Sequence, residues 1–112
     1  MQLECSRQQD ALIVVVRADR IDSAAAIRFK DAMRAETENA PRRVILDLGD
    51  VVFVDSSGLG AIVAVMKFLS PERSLELAGL NPDVARVFRL TRMDSVFEIH
   101  ADASAPQSLG AG

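Results

Sequence analysis

Hydrophobic and polar residues along this chain follow two periods, and the change between them separates predicted strands from predicted helices. Residues 12–16 and 43–48 are dominated by aliphatic side chains, which is typical of strands that are buried on both faces. Residues 3–6 and 74–78 alternate apolar and polar side chains, as half-buried strands do. A short apolar segment at residues 96–99 predicts a last strand.

Apolar residues recur at helical spacing in three segments. The first predicted helix begins at a capping residue, Asp22 or Ser23, and ends before Pro41. The second extends over residues 56–69, and the third begins at residues 81–83. The predicted inward faces are Ala25, Phe29, Ala32 and Met33 in the first helix, Leu59, Ile62, Val63 and Met66 in the second, and Val84, Val87 and Phe88 in the third.

This order of elements predicts an α/β domain. The first two strands are separated by a few polar residues and should form a hairpin, whereas the later strands alternate with helices and should pair in parallel. The result would be a mixed sheet of about five strands covered by helices. A chain of 112 residues suits one such domain, which we assign to residues 1–100. Residues 101–112 are small and polar, and we predict that they form a disordered tail.

The composition narrows the range of partners. The formal net charge is −3 and the basic residues are scattered, so nothing predicts a nucleic-acid surface. No apolar run approaches the roughly 20 residues that a membrane-spanning helix needs, and the N-terminus does not resemble a signal peptide. We therefore expect a cytoplasmic protein that binds neither nucleic acid nor membrane. Cys5 is the only cysteine and is expected to be a buried strand residue.

The sequence Asp-Ser-Ser-Gly-Leu-Gly at residues 55–60 follows the apolar residues 51–54 and opens the second predicted helix. Backbone N–H groups at a helix start lack intrahelical partners, and a side-chain oxygen of Asp55 or Ser56 can accept hydrogen bonds from them. The glycines leave the backbone beside the hydroxyls bare, so that another molecule can approach closely. From the residues alone two interpretations of Ser56 stay open: it caps the helix, or it is a phosphate acceptor or partner contact.

Motifs for catalysis or for small ligands do not occur in the sequence. The serines do not stand in a Gly-x-Ser-x-Gly nucleophile elbow, and His100, the only histidine, is expected to be solvated at a strand end. No cluster of cysteine and histidine predicts a metal site, and no phosphate-binding Gly-x-x-x-x-Gly-Lys loop predicts a nucleotide. We therefore predict a protein that is not an enzyme and that has no cofactor and no metal site.

Two segments together, Val-Ile-Leu-Asp-Leu at residues 44–48 and Phe-Val-Asp-Ser-Ser-Gly-Leu-Gly at residues 53–60, resemble the signature of the STAS domain. Within that family the chain is most similar to bacterial anti-sigma factor antagonists, and the resemblance extends to about Ile99. It implies the STAS fold, which agrees with the mixed sheet predicted above. The family often closes with a further helix, for which residues 101–112 are a poor candidate, so the surface that such a helix covers is expected to be exposed.

The resemblance also implies a partner-switching function. In anti-sigma factor antagonists the unmodified protein binds an anti-sigma factor that is also a serine kinase of the ATP-binding histidine-kinase-like type, and binding releases the sigma factor. The kinase phosphorylates the first serine of the Asp-Ser-Ser-Gly run, which is Ser56 here, and a serine phosphatase removes the phosphate. A phosphoserine carries about −1.5 to −2 charges at neutral pH, so it would alter any interface built over it.

The resemblance and the pattern of the first predicted helix together indicate which residues contact the partner. Asp22 matches an acid that contacts the partner in the family, and Ile27 lies opposite the inward face of the first predicted helix. The expected partner-binding residues are Asp22, Ile27, Asp55, Ser56, Ser57 and Gly58. Two positions depart from the family pattern, because Asp19 and Arg92 each stand where glycine is common. The departure at Asp19 puts the local turn and the choice of partner in question.

Two other functions stay open at this point. A STAS domain can also be a structural or regulatory subunit of a transporter or signalling assembly, with Ser56 serving only as a helix cap. A small hydrolase that uses Ser56 as its nucleophile ranks far lower, because no general base is evident. Neighbouring genes for a kinase and a phosphatase would favour the antagonist, whereas genes for transporter components would favour the subunit.

Overall fold

The computed structural model describes residues 1–103, which fold around a mixed β-sheet. The strands are β1 (Leu3–Gln8), β2 (Ala11–Val16), β3 (Arg20–Ile21), β4 (Arg43–Asp47), β5 (Phe53–Val54), β6 (Ser74–Ala78) and β7 (Ile99–His100). The helices are α1 (Ala26–Glu36), α2 (Ser56–Leu69) and α3 (Pro82–Leu90), and one turn of 3-10 helix (Met93–Ser95) precedes the last strand.

Five strands form the main sheet in the order β1-β2-β4-β6-β7. β1 is antiparallel to β2 and the other neighbours are parallel, so the predicted hairpin and the mixed α/β sheet are confirmed. The last strand begins at Ile99 and not at Val96 as predicted, because the Val96 N–H still belongs to the helical turn and donates to the Met93 carbonyl oxygen at 3.0 Å.

The short strands β3 and β5 form a separate parallel pair, here called the ribbon, in which Ile21 lies opposite Val54. Residues 51–54 therefore do not extend β4. The chain turns after that strand, where the Val51 N–H donates to the Leu48 carbonyl oxygen at 3.0 Å. As a result, β5 leads directly into the start of α2 while paired with β3.

The main hydrophobic core joins one face of the sheet to the helices. Val14, Leu46 and Leu77 are fully buried there, together with Phe29 of α1 and Phe88 of α3. The inward faces predicted for α1 and α3 are confirmed at these aromatic positions. Each helix thus presents an apolar stripe to the core, as expected for helices that cover a sheet.

The buried stripe of α2 differs from the predicted one. Ile62 is fully buried as predicted, but Leu59, Val63 and Met66 are only partly buried at the margin of the core. The buried positions of α2 are Gly58, Ala61, Ile62, Val65 and Leu69. Because α2 is apolar nearly all round, residue spacing does not determine which side faces the sheet, and the prediction was rotated about the helix axis.

A second, smaller apolar cluster lies on the opposite face of the sheet. It consists of Ala11, Ile13, Ile45 and Ala78, and Ala103 packs against it. Ala103 belongs to the segment that was predicted to be a disordered tail. The remainder of that segment, residues 104–112, lies outside the described part of the chain.

Cys5 is exposed, so the prediction that it is a buried strand residue is wrong. The reason is that β1 is an edge strand, whose residues after Leu3 are all exposed. The Cys5 thiol donates a hydrogen bond to the Glu36 carboxylate at 3.4 Å. Partial desolvation, and then this carboxylate, raise the pKa of the thiol to about 11, so it stays protonated at neutral pH.

Candidate functional site

The start of α2 is capped by Asp55. Its backbone is extended, and its carboxylate atom Oδ1 accepts a hydrogen bond from the Gly58 N–H at 2.8 Å. Ser56 is the first residue of the helix itself. The interpretation of Ser56 as the helix cap is therefore wrong, because the neighbouring carboxylate already occupies that role.

The second carboxylate oxygen of Asp55 reaches the segment before α1. It accepts a hydrogen bond from the Ser23 N–H at 3.2 Å. One aspartate therefore joins the starts of two helices and brings residues 22–23 next to residues 55–56. This contact places Asp22 and Asp55 in the same part of the molecule.

Asp22 closes the turn that precedes α1. Both its carbonyl oxygen and its side-chain Oδ1 accept from the Ala25 N–H, at 3.0 and 3.2 Å. The regular helix begins at Ala26, and its cap position, Ala25, has no side-chain hydrogen bond. The predicted helix start at Asp22 or Ser23 is thus early by one turn, although Asp22 makes the type of contact that was predicted for a cap.

Gly58 is buried and has an internal packing role. A Cβ atom at this position would lie only 1.8 Å from the carbonyl oxygen of Ile21 in the ribbon. Gly58 is therefore required for the ribbon to pack on the first turn of α2. Its burial makes the prediction of Gly58 as a direct partner contact wrong, whereas at Gly60 an added Cβ would have no neighbour within 4 Å.

The hydroxyls at this junction face solvent. Ser56 and Ser57 are exposed, while Asp22 and Asp55 are half-buried. Ile27, in the first turn of α1, is 67% exposed, as its predicted position opposite the inward face requires. We call the exposed group formed by Asp22, Ser23, Asp55, Ser56 and Ser57 the junction surface.

The sequence did not predict the exposure of three residues in or next to the ribbon, which are Arg20, Val52 and Phe53. Val52 and Phe53 are large apolar side chains that are 55% and 45% exposed next to the polar motif. The Arg20 guanidinium lies over the Phe53 ring, 5.5 Å from its centroid. Phe53 stands two residues before Asp55, so its place in the motif was the available signal.

Asp19 and Arg92, which stand where glycine is common in the family pattern, differ in backbone conformation. Arg92 has φ 61° and ψ 19°, a left-handed conformation that glycine adopts most easily. Asp19 is not among the described residues with positive φ, and its carbonyl oxygen accepts from the Val52 N–H at 2.7 Å. The aspartate is therefore accommodated in the turn before β3 without left-handed strain.

A second group of polar residues, here called the polar cluster, consists of Arg43, Glu76 and His100. It lies on the face of the main sheet opposite the main hydrophobic core. Glu76 is 5% exposed and accepts two hydrogen bonds from Arg43, at 2.9 and 2.8 Å. His100 is 8% exposed, and its Nε2 lies 2.8 Å from Glu76 Oε1. The prediction that His100 is solvated at a strand end is wrong, because β7 pairs with β6 and places the imidazole beside Glu76.

The charge of Glu76 is stabilised by these partners. Burial by itself would raise the pKa of the carboxyl group, but hydrogen bonds from Arg43 and His100 lower the pKa below its usual value. Glu76 is therefore an ionised carboxylate in a buried position at neutral pH. The hydrogen bonds that Arg43 donates to Glu76 in turn raise the pKa of the guanidinium.

Comparison with known proteins adds an independent line of observation. The STAS domain family matches residues 2–105 of this chain. The anti-sigma-B factor antagonist of Listeria monocytogenes is 29% identical over 100 residues, covering 88% of each chain. BtrV of Bordetella bronchiseptica, provisionally named an anti-sigma factor antagonist, is 30% identical over 91 residues, which are 80% of this chain and 78% of BtrV.

The fold has close counterparts among solved structures. A Thermotoga maritima protein, also provisionally named an anti-sigma factor antagonist, superposes with a TM-score of 0.80 at 26% identity, covering 95% of this chain and 92% of the other. Within residues 1–103 no helix has both the length and the apolar character needed to cross a membrane.

Proposed function

This chain belongs to the STAS domain family, and we propose that it acts as an anti-sigma factor antagonist in a partner-switching circuit. Its relatives of this kind are binding proteins and not enzymes. In the proposed circuit the unphosphorylated protein binds an anti-sigma factor that is also a serine kinase of the ATP-binding histidine-kinase-like type, which frees the sigma factor. The kinase then phosphorylates Ser56, and a serine phosphatase removes the phosphate. The antagonist, the kinase and the phosphatase all work in the cytoplasm.

The observation that carries this proposal is the exposed hydroxyl of Ser56 beside a fully engaged Asp55. Within residues 1–103 the Ser56 hydroxyl has no hydrogen-bond partner, so a kinase can reach it without breaking an internal contact. The serine stands in the first turn of α2, where unpaired N–H groups and the helix dipole favour a phosphate. The domain should therefore remain folded after phosphorylation.

The effect of the phosphate on a partner follows from the position of Asp55. Its two carboxylate oxygens are held by Gly58 and Ser23, so this negative charge cannot swing away from a phosphate on the next residue. Asp22 adds a further carboxylate to the same surface. A partner that covers the junction surface in the unmodified state would have to desolvate this concentrated charge in the modified state.

The proposed partner contacts are the exposed members of the predicted set. Asp22, Ile27, Asp55, Ser56 and Ser57 can each touch a protein that docks on the junction surface, whereas Gly58 acts by holding the ribbon against α2. The alternative role, as a subunit of a transporter or signalling assembly, would leave Ser56 unmodified.

The test uses the kinase and compares two serines that are both exposed. We expect incubation with the cognate kinase and ATP to phosphorylate Ser56 and not Ser57, as fragment mass spectrometry would show. Ser56→Asp should weaken kinase binding by up to about a hundredfold. The partner removes water from two adjacent carboxylates, and the repulsion between like charges about 4 Å apart then rises from about 1 kcal/mol in water to about 4 kcal/mol at an effective dielectric of 20. Binding can be measured by calorimetry, with Ser6→Asp, at an exposed serine outside the junction surface, as the matched control.

Two outcomes would contradict parts of the proposal. Phosphate on Ser57 with Ser56 bare would refute the choice of site but keep the switch. If neither serine is modified and Ser56→Asp binds like the parent, partner switching fails and the role of assembly subunit takes its place.

A further inference from the structure

Three potential metal ligands meet on the face of the sheet opposite the main core. Glu76, Glu98 and His100 each offer a ligand atom, and these atoms all lie within 4.8 Å of one another. Glu76 and His100 are buried, whereas Glu98 is exposed at the rim. We propose that these three residues bind a divalent transition-metal ion of the zinc type, in contrast to the sequence-based prediction of no metal site. This property is independent of the proposed partner switching.

The distance between the two buried ligands fits this proposal. His100 Nε2 and Glu76 Oε1 are 2.8 Å apart, so they share a hydrogen-bonded proton in the metal-free protein. Nitrogen and oxygen ligands lie about 2.0–2.2 Å from zinc, which places two of them about 3.4 Å apart on a tetrahedral ion. An ion can therefore replace the shared proton after a small separation of the side chains. Because Glu98 is exposed, its carboxylate is free to close on the ion from the solvent side.

Arg43 assists this arrangement. Its Nε and Nη2 donate to Glu76 Oε2 and Oε1, and this paired contact fixes the plane of the carboxylate. A carboxylate oxygen can accept from a guanidinium and still bind a metal with its other lone pair. Ligating carboxylates are commonly oriented by such hydrogen bonds, so Arg43 would hold Glu76 in place for the ion.

The local charge matches a divalent cation. Glu76 and Glu98 are two of the carboxylates around Arg43, and Asp10 lies 3.7 Å from the same guanidinium. Three carboxylates and one guanidinium leave two negative charges, which a divalent ion would balance. The mixture of one imidazole with carboxylates favours zinc or nickel over magnesium, which prefers oxygen ligands alone.

The sequence offers an unusually direct probe, because His100 is the only histidine. We would titrate zinc chloride into the full chain carrying Cys5→Ser, so that the exposed thiol cannot contribute a ligand. The imidazole nitrogen resonances would be followed by NMR, and affinity and stoichiometry by calorimetry. We expect one zinc ion per chain and a large shift of the Nε2 resonance, with no such shift on addition of magnesium chloride.

Paired variants distinguish the proposed site from general binding to acidic groups. Glu98→Gln removes an exposed ligand and should leave the fold intact while weakening zinc binding by at least about tenfold. Glu72→Gln removes an exposed glutamate outside the cluster and should bind zinc like the parent. An imidazole spectrum that zinc does not change, or equal affinity in Glu98→Gln and its parent, would refute the site.

Discussion

Two carboxylates of this protein have opposite kinds of hydrogen-bond partner, and the difference separates the junction surface, which is proposed to bind partners, from the polar cluster around Glu76. Asp55 accepts only backbone N–H groups, from Gly58 and Ser23, and leaves the hydroxyls beside it exposed. Glu76 accepts hydrogen bonds from side chains, those of Arg43, His100 and Ser74, and is itself buried. Backbone partners fix the position of Asp55 without using any side chain of the junction, so that the neighbouring serines stay available.

The same comparison shows where each region should be sensitive to mutation. At the junction, stability depends on backbone packing and capping, and the exposed side chains are free for function. In the cluster, stability depends on the side chains themselves, since removal of one leaves another buried and unpaired. The predictions below test this division.

The largest effect on stability is expected from substitution of Gly58. A methyl group there would meet the Ile21 carbonyl oxygen at 1.8 Å, so the ribbon and α2 would have to separate. We expect Gly58→Ala to lower the free energy of unfolding by at least about 3 kcal/mol, a large share of the about 5–15 kcal/mol typical of a small domain. Urea denaturation would measure this loss.

Gly60→Ala is the matched control for this prediction. It lies in the same helix, and its added Cβ would have no neighbour within 4 Å. Alanine favours a helix over glycine by about 1 kcal/mol, so this variant should be neutral or more stable. Equal destabilisation of both variants would show that the first turn of α2 needs glycine for a reason other than contact with the ribbon.

A smaller loss of stability is expected when Glu76, which pairs with Arg43 and His100, is changed. Glu76→Gln keeps the shape of the side chain but removes the charge that pairs with Arg43, whose side chain is 28% exposed. We expect a loss of about 1–3 kcal/mol in the free energy of unfolding. Glu72→Gln, at an exposed position, should change it by less than about 0.5 kcal/mol. A neutral Glu76→Gln would show that burial of the charge offsets its pairing.

The same residue should make stability depend on pH. Since the pKa of Glu76 is lowered in the folded protein, its contribution is fully present above the pKa of the unfolded chain, about 4.3, and is lost as the pH falls through the folded value. The difference in unfolding free energy between the parent and Glu76→Gln should therefore shrink between about pH 6 and pH 3. A difference that stays constant over this range would place the stabilisation in packing and not in charge.

These contrasts also explain how far the sequence could predict the structure. The cap at Asp55 joins it to Gly58, three residues along the chain, and local patterns of this kind are visible in a sequence. Glu76 also accepts a hydrogen bond from nearby Ser74, but its partners Arg43 and His100 are 33 and 24 residues away. The alternation of apolar and polar residues correctly predicted the strand that holds Glu76. It cannot reveal that side chains of β4 and β7 bury Glu76.

The start of α2 shows the same limit on a smaller scale. The motif predicted the strand-to-helix junction and the exposure of its hydroxyls, because polar residues and capping chemistry are local. It did not predict that Gly58 faces inward, because that depends on the ribbon, which joins β3 to β5 across more than thirty residues. Gly58, which was expected to contact a partner protein, instead allows close packing of Ile21 from the same chain.

The smallest effect on stability is expected at Ser56. Its hydroxyl has no partner within residues 1–103, so Ser56→Ala should change the free energy of unfolding by less than about 0.5 kcal/mol. Asp55→Ala is the matched comparison, because it removes the cap on Gly58 and the bond from Ser23, and it should cost about 0.5–2 kcal/mol. Urea denaturation of the two variants under identical conditions checks the order.

Binding separates the two residues further. Ser56→Ala should bind the kinase as tightly as the parent and should not be phosphorylated, because only the acceptor oxygen is lost. Asp55→Ala should weaken binding even where it remains folded, since the segment at Ser23 loses its anchor and the junction surface loses its shape. If Ser56→Ala were as destabilising as Asp55→Ala, Ser56 would also contribute to capping of α2. Its phosphorylation would then disturb the fold as well as the interface, and the division between a structural aspartate and a free serine would fail.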